Sequence, residues 1–496
     1  MPFDHWLSAC LGVLAVWILI SGLDDLFVSL VWMWARDGYR WPGERELSGE
    51  AERRVAIFVP LWQEDGVIRQ MLEHNLAAIR YRNFDVFVGV YPNDEATRSA
   101  VEEVAARDER IHIATVPRDG PTSKGDCLNA IYRRMLAYEA GHDVRFRVIL
   151  THDAEDLIHP ESLRLINWHM REYQMVQVPV LALATGLREL THGLYCDEFA
   201  EYQSKDIPVR QRLGGFLPSN GVGTGFDRDA LEALADARGG LMFDPACLTE
   251  DYETGYRLHA QGCRQIFVPL RFDGRPPVAT REYFPRRLRA AVRQRSRWVT
   301  GIALQGWQHH GWKWGTRQAY WFWRDRKGLV GNLLSPVVNG LFVWGAVDAR
   351  VRHQSARWMV PVFAATAVIT LVQMGCRAAA SGRVYGWRFA TGVPLRMVWG
   401  NVVNCLATVA ALRQFAGAAL WRERLAWRKT EHDYPVHARP RLGEVLVRMR
   451  LLPAREVEAA LRSKPASRRL GEHLMLLEKI SAEHLHLALS RQASGD

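Results

Sequence analysis

Apolar runs of membrane length lie on both sides of a long polar stretch, and this arrangement constrains the fold more than any other feature. One run extends from Trp6 to Leu23, and two later runs extend from Gly328 to Val347 and from Trp358 to Cys376. Each comes close to the length of about 20 residues that a helix needs to cross a bilayer. The mean hydropathy of −0.16 is nevertheless too polar for a chain that lies mainly in a membrane. The sequence therefore predicts a soluble domain inserted among transmembrane helices.

The basic charge of the chain indicates contact with lipid. Its 496 residues carry a formal net charge of +10, and arginines cluster beside the apolar runs. Such clusters suit anionic lipid headgroups better than DNA. We therefore predict membrane lipids as partners and no nucleic acid polymer. The seven scattered cysteines include no CxxC pair, so the sequence predicts neither a disulfide framework nor a zinc site.

The positions of the arginines also predict the orientation in the membrane. Arg36, Arg40 and Arg45 follow the first run, so the positive-inside rule places the N-terminus outside and the next domain in the cytoplasm. A further apolar run, 397–412, is short and has arginines on both flanks, which favours a helix in the interface over a crossing. Two crossings after the soluble domain then return the C-terminal segment to the cytoplasm. Three arginines in the predicted outer loop oppose this topology.

Between Glu52 and about Arg281, short β-branched runs alternate with helical stretches. Mostly apolar strands separated by helices, such as 55–59, 86–91 and 147–151, indicate an α/β domain with a parallel sheet covered on both faces. Ligands of such sheets bind at the carboxyl ends of the strands. Three acidic residues stand just after a strand, namely Glu64, Asp94 and Asp153.

The acidic run after the strand at 147–151 predicts a metal site. Asp153 and Glu155 are alternate residues at the end of an extended strand, so their side chains project to the same side. Two converging carboxylates repel each other, and a hard cation such as Mg²⁺ or Mn²⁺ relieves the repulsion while it bridges a diphosphate. Asp156 is either a further ligand or a helix N-cap before Leu157. We predict metal ligation by Asp153, Glu155 and Asp156.

Six motifs resemble those of inverting family 2 glycosyltransferases, and the last resembles the processive branch that includes cellulose synthase. The motifs are Pro60–Glu64, Asn93–Asp94, Ser123–Gly125 with Asn129, His152–Asp156, Thr249–Asp251 and Gln294–Trp298. The resemblance implies a GT-A fold, a UDP-sugar donor and a growing glycan. The family usually has aspartate where this chain has Glu155.

Further stretches resemble a narrower family, the inner-membrane glycosyltransferases known as bacteriophage N4 adsorption protein B. These stretches are Ser21–Leu26, Trp323–Gly328 and Trp427–His432. The resemblance implies a bacterial inner-membrane enzyme that makes a surface polysaccharide with an amino sugar of the N-acetylmannosamine type. It also implies export through an outer-membrane partner.

The resemblance implies roles for single residues. An inverting transfer needs a carboxylate near the acceptor hydroxyl, and the family places this catalytic base at the final acid of Thr-Glu-Asp. That acid is Asp251 here, with Glu250 as its rival. Asp94 is implied to bind the uracil or ribose, or else it opens a turn, as aspartate often does. Lys124 is implied to offset diphosphate charge, or else it is a solvated loop charge.

Gln294, Arg297 and Trp298 lie in a predicted basic amphipathic helix from about Pro285 to Gly306. A helix on the membrane surface explains its arginines but neither Gln294 nor Trp298. By the resemblance, Trp298 stacks on the acceptor sugar and Arg297 stabilises the departing diphosphate. The predicted substrate-binding residues are Pro60, Glu64, Asp94, Lys124, Asp153, Gln294, Arg297 and Trp298.

The C-terminal tail contains a short internal repeat, which indicates paired supersecondary units. It resembles the cyclic di-GMP-binding domain at the N-terminus of type II secretion and type IV pilus ATPases, and this implies arginines stacked on guanine. The mid-motif glycine of that family is Arg450 in one copy and Glu478 in the other, so a docking unit without ligand is the alternative. The predicted nucleotide contacts are Arg441, Leu442, Gly443, Arg469, Leu470 and Gly471.

These observations predict a series of segments along the chain. They are an N-terminal transmembrane segment (1–50), a GT-A domain (51–281), interface helices (282–327), two transmembrane helices (328–376), interfacial helices with a linker (377–438) and a small helical tandem-repeat domain (439–496). The predicted function is polymerisation of a UDP-activated sugar, with cyclic di-GMP as activator. The alternatives are transfer of one sugar to a lipid carrier and an inactive membrane scaffold or phage receptor.

Overall fold

The computed structural model describes residues 2–34, 38–237, 239–273, 276–312, 317–347, 359–421, 434, 442–449, 451–465 and 468–494. The chain divides into two compact units, Met1–Tyr434 and Pro435–Asp496. The first unit contains the soluble domain and the long apolar helices, and the second contains the tandem repeat.

The strands all belong to the first unit. They are β1 (Val55–Pro60), β2 (Phe84–Val90), β3 (Ile111–Thr115), β4 (Val148–Thr151), β5 (Met175–Gln177), β6 (Val180–Ala182), β7 (Thr224–Asp227), β8 (Gln265–Phe267) and β9 (Thr280–Glu282). The helices up to β9 are α1 (Pro2–Trp34), α2 (Glu44–Gly49), α3 (Ile68–Ala78), α4 (Glu95–Ala105), α5 (Lys124–His142), α6 (Ser162–His169), α7 (Leu190–Glu201), α8 (Ile207–Arg212), α9 (Arg228–Asp236) and α10 (Glu250–Ala260).

The later helices carry the final glycosyltransferase-like motif, the apolar runs and the repeat. They are α11 (Leu288–Trp298), α12 (Gly306–His310), α13 (Arg317–Arg326), α14 (Gly328–Val347), α15 (Met359–Tyr385), α16 (Trp387–Ala390), α17 (Val393–Trp421), α18 (Leu442–Arg448), α19 (Ala454–Ser463), α20 (Leu470–Leu476) and α21 (Ala482–Ser494). Two π-helical segments, Tyr202–Asp206 and Val299–Gln305, join α7 to α8 and α11 to α12.

Seven strands form one sheet in the order β3-β2-β1-β4-β7-β5-β8, in which β7 is antiparallel to both neighbours and the other pairs are parallel. Strand β1 is buried on both faces because successive side chains point to opposite sides. Ile57 and Val59 pack in one core, and Ala56 and Phe58 pack in the other. The predicted α/β domain with a mostly parallel sheet is confirmed.

Helix α1 passes without a break through Asp24-Asp25, where the sequence suggested the end of an apolar run. Both carboxylates form ion pairs with basic residues that follow the soluble domain in the chain. Lys327 Nζ lies 2.8 Å from Asp24 Oδ2 and 2.7 Å from Asp25 Oδ1, and Arg324 also pairs with both aspartates. Because paired acids lose much of their cost of burial, the two residues join α1 to α13 and α14 instead of ending the helix.

Three helices are long and apolar enough to cross a membrane, judged by length and composition over the described residues. They are Leu11–Trp34, Val360–Tyr385 and Val393–Trp421. The last contains the run 397–412, and its 29 residues make it longer than the short helix that the sequence predicted there. Asn404 within this helix accepts a hydrogen bond from Arg295 Nη1 at 2.7 Å. These helices support the prediction of a membrane protein; the orientation and the number of crossings stay predictions.

The second unit packs two helix pairs, α18 with α19 and α20 with α21, around its own core. The glycine of each repeat is needed for this packing. A Cβ at Gly443 would lie 2.5 Å from Val457 Cγ1, and one at Gly471 would lie 2.6 Å from Leu485 Cδ1. Arg441, which the sequence predicts to contact the nucleotide, lies outside the described residues, and so does Arg450.

Glu478 occupies a left-handed backbone conformation, with φ of 51°. This conformation is costly for an L-residue with a side chain, whereas glycine adopts it readily. We expect Glu478→Gly to raise the free energy of unfolding of the second unit by about 0.5–1 kcal/mol, measured by denaturant titration. Glu458→Gly, in the middle of α19, should instead lower it by about 1 kcal/mol. A lower free energy of unfolding in Glu478→Gly would contradict the inference that the backbone at Glu478 is strained.

Candidate active site

A cleft of about 530 Å³ opens at the carboxyl edge of β1 and β4. It collects nearly all the substrate and metal residues that the sequence predicted, although they are spread over almost half of the chain. The predicted residues that line it are Pro60, Glu64, Lys124, Asp153, Glu155, Asp251, Gln294, Arg297 and Trp298.

Lys124 stands at the centre of the acidic groups in this cleft. Its Nζ lies 2.6 Å from Asp153 Oδ1. Burial acts to lower the pKa of Lys124, but Asp153, Glu250 and Asp251 together raise it above the usual value, so the ammonium stays charged. The motif around it is explained by packing: a Cβ at Gly125 would lie 2.9 Å from the carbonyl oxygen of Asp244. Lys124 is therefore a fixed cation inside the cleft.

Asp251 lies in the first turn of α10, with its carboxylate against the glycine-rich loop that precedes β7. Its Oδ1 accepts a hydrogen bond from the Tyr252 N–H at 2.7 Å, and a Cβ at Gly221 would lie 2.5 Å from its Oδ2. Gly221 has φ of 76°, which favours glycine and allows this approach. Burial raises the pKa of Asp251, against the opposing effect of Lys124 and Arg297. Burial and then Asp251 raise the pKa of Glu250 to about 7.

The acidic run at 153–156 forms a turn instead of the extended strand end that the sequence suggested. Asp153 and Glu155 both line the cleft all the same. Asp156 does not, and its prediction as a metal ligand is corrected: it is fully buried, and its Oδ2 lies 2.7 Å from His152 Nδ1. Glu282 also lines the cleft, although the sequence did not predict it. Its pKa lies well above the usual range because the carboxyl is buried and because Asp156, Glu155 and Asp153 lie near it.

The carboxylate oxygens of Asp153 and Glu155 suit a hard divalent cation that takes only some of its ligands from the protein. No group of three or more His, Cys, Asp or Glu side chains within the described ranges has the geometry of a metal site. Mg²⁺ commonly uses only one or two carboxylates and takes its other ligands from water and substrate phosphates. Asp153 and Glu155 meet that requirement.

Asp94 is not among the residues that line the cleft. Its Oδ1 caps α4 by accepting from the Thr97 N–H at 3.4 Å, and its Oδ2 accepts from the Gln63 N–H. The turn-forming alternative thus describes its contacts, and the predicted bond to uracil or ribose has no support in its position. The carboxylate holds Gln63 at φ of 54°. It thereby shapes the loop that presents Trp62 and Glu64 to the cleft.

Several buried polar atoms on the cleft wall have no hydrogen-bond partner within the described part of the protein. They are Asn220 Nδ2, Thr249 Oγ1, Gln294 Oε1 and Arg297 Nε. An unpaired buried polar atom costs about 1–3 kcal/mol, so such atoms are rare in folded proteins. Four of them on one cleft indicate that a polar ligand completes the site.

One face of helix α11 packs inside the protein. Arg295, between Gln294 and Arg297, is buried and pairs with Glu198 at 2.7 Å. Trp298 lies 6.1 Å from the ring of Tyr195, and it also lines the cleft. Within the motif, Arg295 therefore holds α11 in place by its ion pair. Gln294, Arg297 and Trp298 line the cleft.

Three further contributors were not predicted as site residues. Trp62, within the Pro60–Glu64 motif, and Tyr91, after β2, line the cleft with ring centroids 5.2 Å apart in an edge-on arrangement. Gln305, in the π-helical segment after α11, accepts from the Leu248 N–H at 2.9 Å and donates to the Ala246 carbonyl at 3.0 Å. It holds the loop before Thr249-Glu250-Asp251, a contact between residues far apart in the chain.

Comparison with known proteins gives consistent matches. The pattern of the family described as "Glycosyltransferase like family 2" matches residues 52–301. The "Bacteriophage adsorption protein B" of Escherichia coli (strain K12) is 36% identical over 524 residues, which cover 97% of this chain and 70% of that protein. The "Bacteriophage N4 adsorption protein B" of Escherichia coli O157:H7 matches with the same identity and coverage.

Two solved structures are also similar to parts of the chain. The mannosyltransferase PcManGT from Pyrobaculum calidifontis, in complex with GDP-Man and Mn²⁺, is 16% identical with a TM-score of 0.46, covering 79% of this chain and 99% of that chain. S. aureus TarS 1-349 is 12% identical with a TM-score of 0.31, covering 73% of this chain and 92% of that chain.

Proposed function

The chain belongs to the family 2 glycosyltransferases, and from this premise we propose that it polymerises a UDP-activated sugar into a surface polysaccharide at the bacterial inner membrane. The prediction of a glycosyltransferase with a GT-A fold is confirmed by the family match. The donor, the product and the metal are the parts that we propose. The observation that carries them is the cleft, where a fixed cation, paired acids and unpaired polar atoms converge.

Asp251 acts as the base in this proposal. Its carboxylate takes the proton of the acceptor hydroxyl as that oxygen bonds to the anomeric carbon. The bond from this carbon to the diphosphate oxygen breaks, and UDP leaves on the opposite face, so the configuration inverts. Trp298 offers an aromatic face to the acceptor sugar, and Arg297 stabilises the charge that develops on the diphosphate. Trp62 and Tyr91 offer flat surfaces to the uracil.

The metal part of the proposal is that Asp153 and Glu155 hold Mg²⁺ or Mn²⁺ together with the diphosphate. When bound, such a cation neutralises diphosphate charge and assists its departure. Lys124 adds a permanent positive charge beside Asp153. Without a cation, the acids of the cleft would repel the incoming diphosphate.

A neighbouring cavity that continues the cleft favours polymerisation over transfer of a single sugar. Arg377 of α15, within a candidate membrane span, lines the same cleft as Asp251. A neighbouring cavity of about 280 Å³ shares several lining residues and continues between α1, α15 and α17; the shared residues are Glu201, Tyr202, Asp206, Asp325 and Arg377. A growing glycan therefore has a polar path from the base towards the candidate membrane helices. We propose an N-acetylated amino sugar as the monomer and export through an outer-membrane protein.

The decisive experiment incubates the purified protein with a panel of UDP-sugars and measures UDP release and product length. We expect release with one N-acetylated donor in the presence of Mg²⁺ or Mn²⁺, long products, and loss of release on chelation without a change in thermal stability. Single-sugar lipid products would contradict polymerisation in favour of the lipid-carrier alternative. Absence of UDP release with every donor would leave the scaffold or phage-receptor alternative.

We also propose that cyclic di-GMP activates the enzyme through the second unit. Arg469, at the start of α20, is exposed and can stack on a guanine. The ligand can activate only if its affinity differs between two states of the enzyme. Calorimetry should show micromolar binding that Arg469→Ala removes and that Arg462→Ala, an exposed arginine of α19, retains. Absence of heat with the wild-type protein would make this unit a docking module.

A further inference from the structure

A second cavity, of about 870 Å³, lies where candidate membrane helices meet the soluble domain. Helix α1 contributes Trp32 near its end, and α15 contributes Arg383 from its last turn, so two of the three candidate spans end at this cavity. The soluble domain contributes Trp168, Arg212 and Phe272. Among the described residues, the cavity and the catalytic cleft have no lining residue in common.

The rim of this cavity is positively charged. Arg383 lies over the ring of Trp32, with its guanidinium carbon 5.8 Å from the ring centroid. Arg212 of the soluble domain is exposed and lines the same cavity. Glu172 is the sole acidic lining residue in the described part of the chain, and Arg264 lies 3.5 Å from its carboxylate. The arginines therefore create a field that attracts an anion.

Most of the remaining lining residues are apolar or aromatic, which a soluble anion would not require. Trp32 and Trp168 belong to a residue type that favours the headgroup level of a membrane, and Phe272 adds apolar surface. The volume lies within the range of about 300–1,000 Å³ found for small-molecule sites. A molecule with an anionic head and an apolar body matches both parts of this lining.

We propose that this cavity binds the headgroup of an anionic phospholipid from the surrounding bilayer. Its phosphate faces Arg212 and Arg383, and its glycerol and first acyl carbons pack on Trp32 and Phe272. Basic residues beside the membrane surface favour anionic over zwitterionic lipids. The site is thus selective for phosphatidylglycerol over phosphatidylcholine.

One helical wall connects this lipid site to the catalytic cleft. In the π-helical segment after α7, Tyr202 and Asp206 line the cleft, whereas Ser204 lines the lipid cavity, as does Pro208 of α8. A lipid packed against one face of this wall restrains the residues on its other face. Anionic lipid therefore raises transfer activity. This effect on activity rests on the proposed function, whereas the binding of the lipid does not depend on it.

Native mass spectrometry of the full chain tests the binding. We expect the protein to retain phosphatidylglycerol in preference to phosphatidylcholine, and Arg383→Gln and Arg212→Gln each to lower retention roughly fivefold. Arg388→Gln is the matched control, because Arg388 is an exposed arginine of α16 that does not line the cavity. Thermal stability of each variant without lipid shows whether it folds.

Three results would overturn the lipid site. They are equal retention of the two lipids, an equal loss in Arg388→Gln, and displacement of retained lipid by millimolar glycerol 3-phosphate, which would indicate a site for soluble phosphate. Measurement of UDP release in vesicles with and without phosphatidylglycerol separates the two proposals. Lipid retention without any UDP release contradicts the proposed function alone, and UDP release without selective retention contradicts the lipid site alone.

Discussion

Replacement of Asp251 by asparagine is expected to lower the rate of sugar transfer about 10²- to 10⁴-fold, the range found for a positioned general base. The asparagine side chain has nearly the same volume, and its amide oxygen can still accept the Tyr252 N–H that Asp251 Oδ1 accepts at 2.7 Å. It cannot take the acceptor proton at neutral pH. Binding of UDP should change little, because the base acts on the acceptor. UDP release and polymer formation measure the effect.

Two variants give this prediction its controls. Asp236→Asn changes an exposed acid at the end of α9 and should leave activity unaltered. Glu250→Gln tests the rival base, since Glu250 is buried in the same cleft. A larger loss in Glu250→Gln than in Asp251→Asn would assign the base to Glu250. Unchanged UDP release in Asp251→Asn would contradict the enzyme mechanism proposed above.

The same pair of acids predicts the pH dependence. A base works in its deprotonated form, so activity falls as the pH drops through its pKa. Burial raises the pKa of Asp251 and, with repulsion from Asp251, raises the pKa of Glu250 to about 7. The acid limb of the rate profile should therefore lie well above the usual aspartate value of about 3.9. A profile that stays flat down to pH 4 would contradict a buried base.

Removal of Asp197 is expected to destabilise the first unit by about 3–5 kcal/mol, because it leaves the buried charge of Arg396 without its partner. Arg396 Nε donates to Asp197 Oδ2 at 2.6 Å, and its Nη2 donates to Oδ1 at 2.9 Å. Both side chains are fully buried. Ser381 of α15 also donates to the same carboxylate at 2.6 Å. One carboxylate thus joins α7 of the soluble domain to α15 and α17, two helices with candidate membrane spans.

Denaturant titration of Asp197→Ala in detergent measures this loss. Asp229→Ala is the control, because its ion pairs with Arg145 and Arg147 are about half exposed and should contribute less than about 1 kcal/mol. The double variant Asp197→Leu with Arg396→Met should recover most of the stability, since it removes both buried charges together. A loss below 1 kcal/mol in Asp197→Ala would show that the pair does not hold these helices together.

The predicted site residues that the structure places at the cleft are those whose position depends on local pattern. Strands β1, β2 and β4 are short apolar runs, and residues that follow β1 and β4, such as Glu64 and Asp153, lie at the cleft because parallel strands end at one edge. Asp94 and Asp156 follow strands in the same way, yet their carboxylates face a helix N-terminus and His152. Position after a strand does not determine the direction of a side chain in a turn.

Long-range pairing explains the other differences. Asp24 and Asp25 looked like the end of an apolar run, but cations about 300 positions later in the chain allow α1 to continue. The hydrogen bond between Arg295 and Asn404 joins two residues 109 positions apart and helps α11 to pack against α17. From the sequence alone, a charged side chain is expected to be solvated unless an opposite charge lies near it in the chain.

By itself, the amino-acid sequence determined that this protein is a family 2 glycosyltransferase with an α/β domain beside apolar helices. Hydrophobic periodicity and short motifs are local properties, and they are sufficient for strands, helices and the order of the acids. Only the tertiary structure decided which acids enter the cleft, which are caps, and where the cleft approaches the candidate membrane helices. Those outcomes depend on contacts between distant residues, since burial and pairing, more than residue type, determine what a charged side chain does.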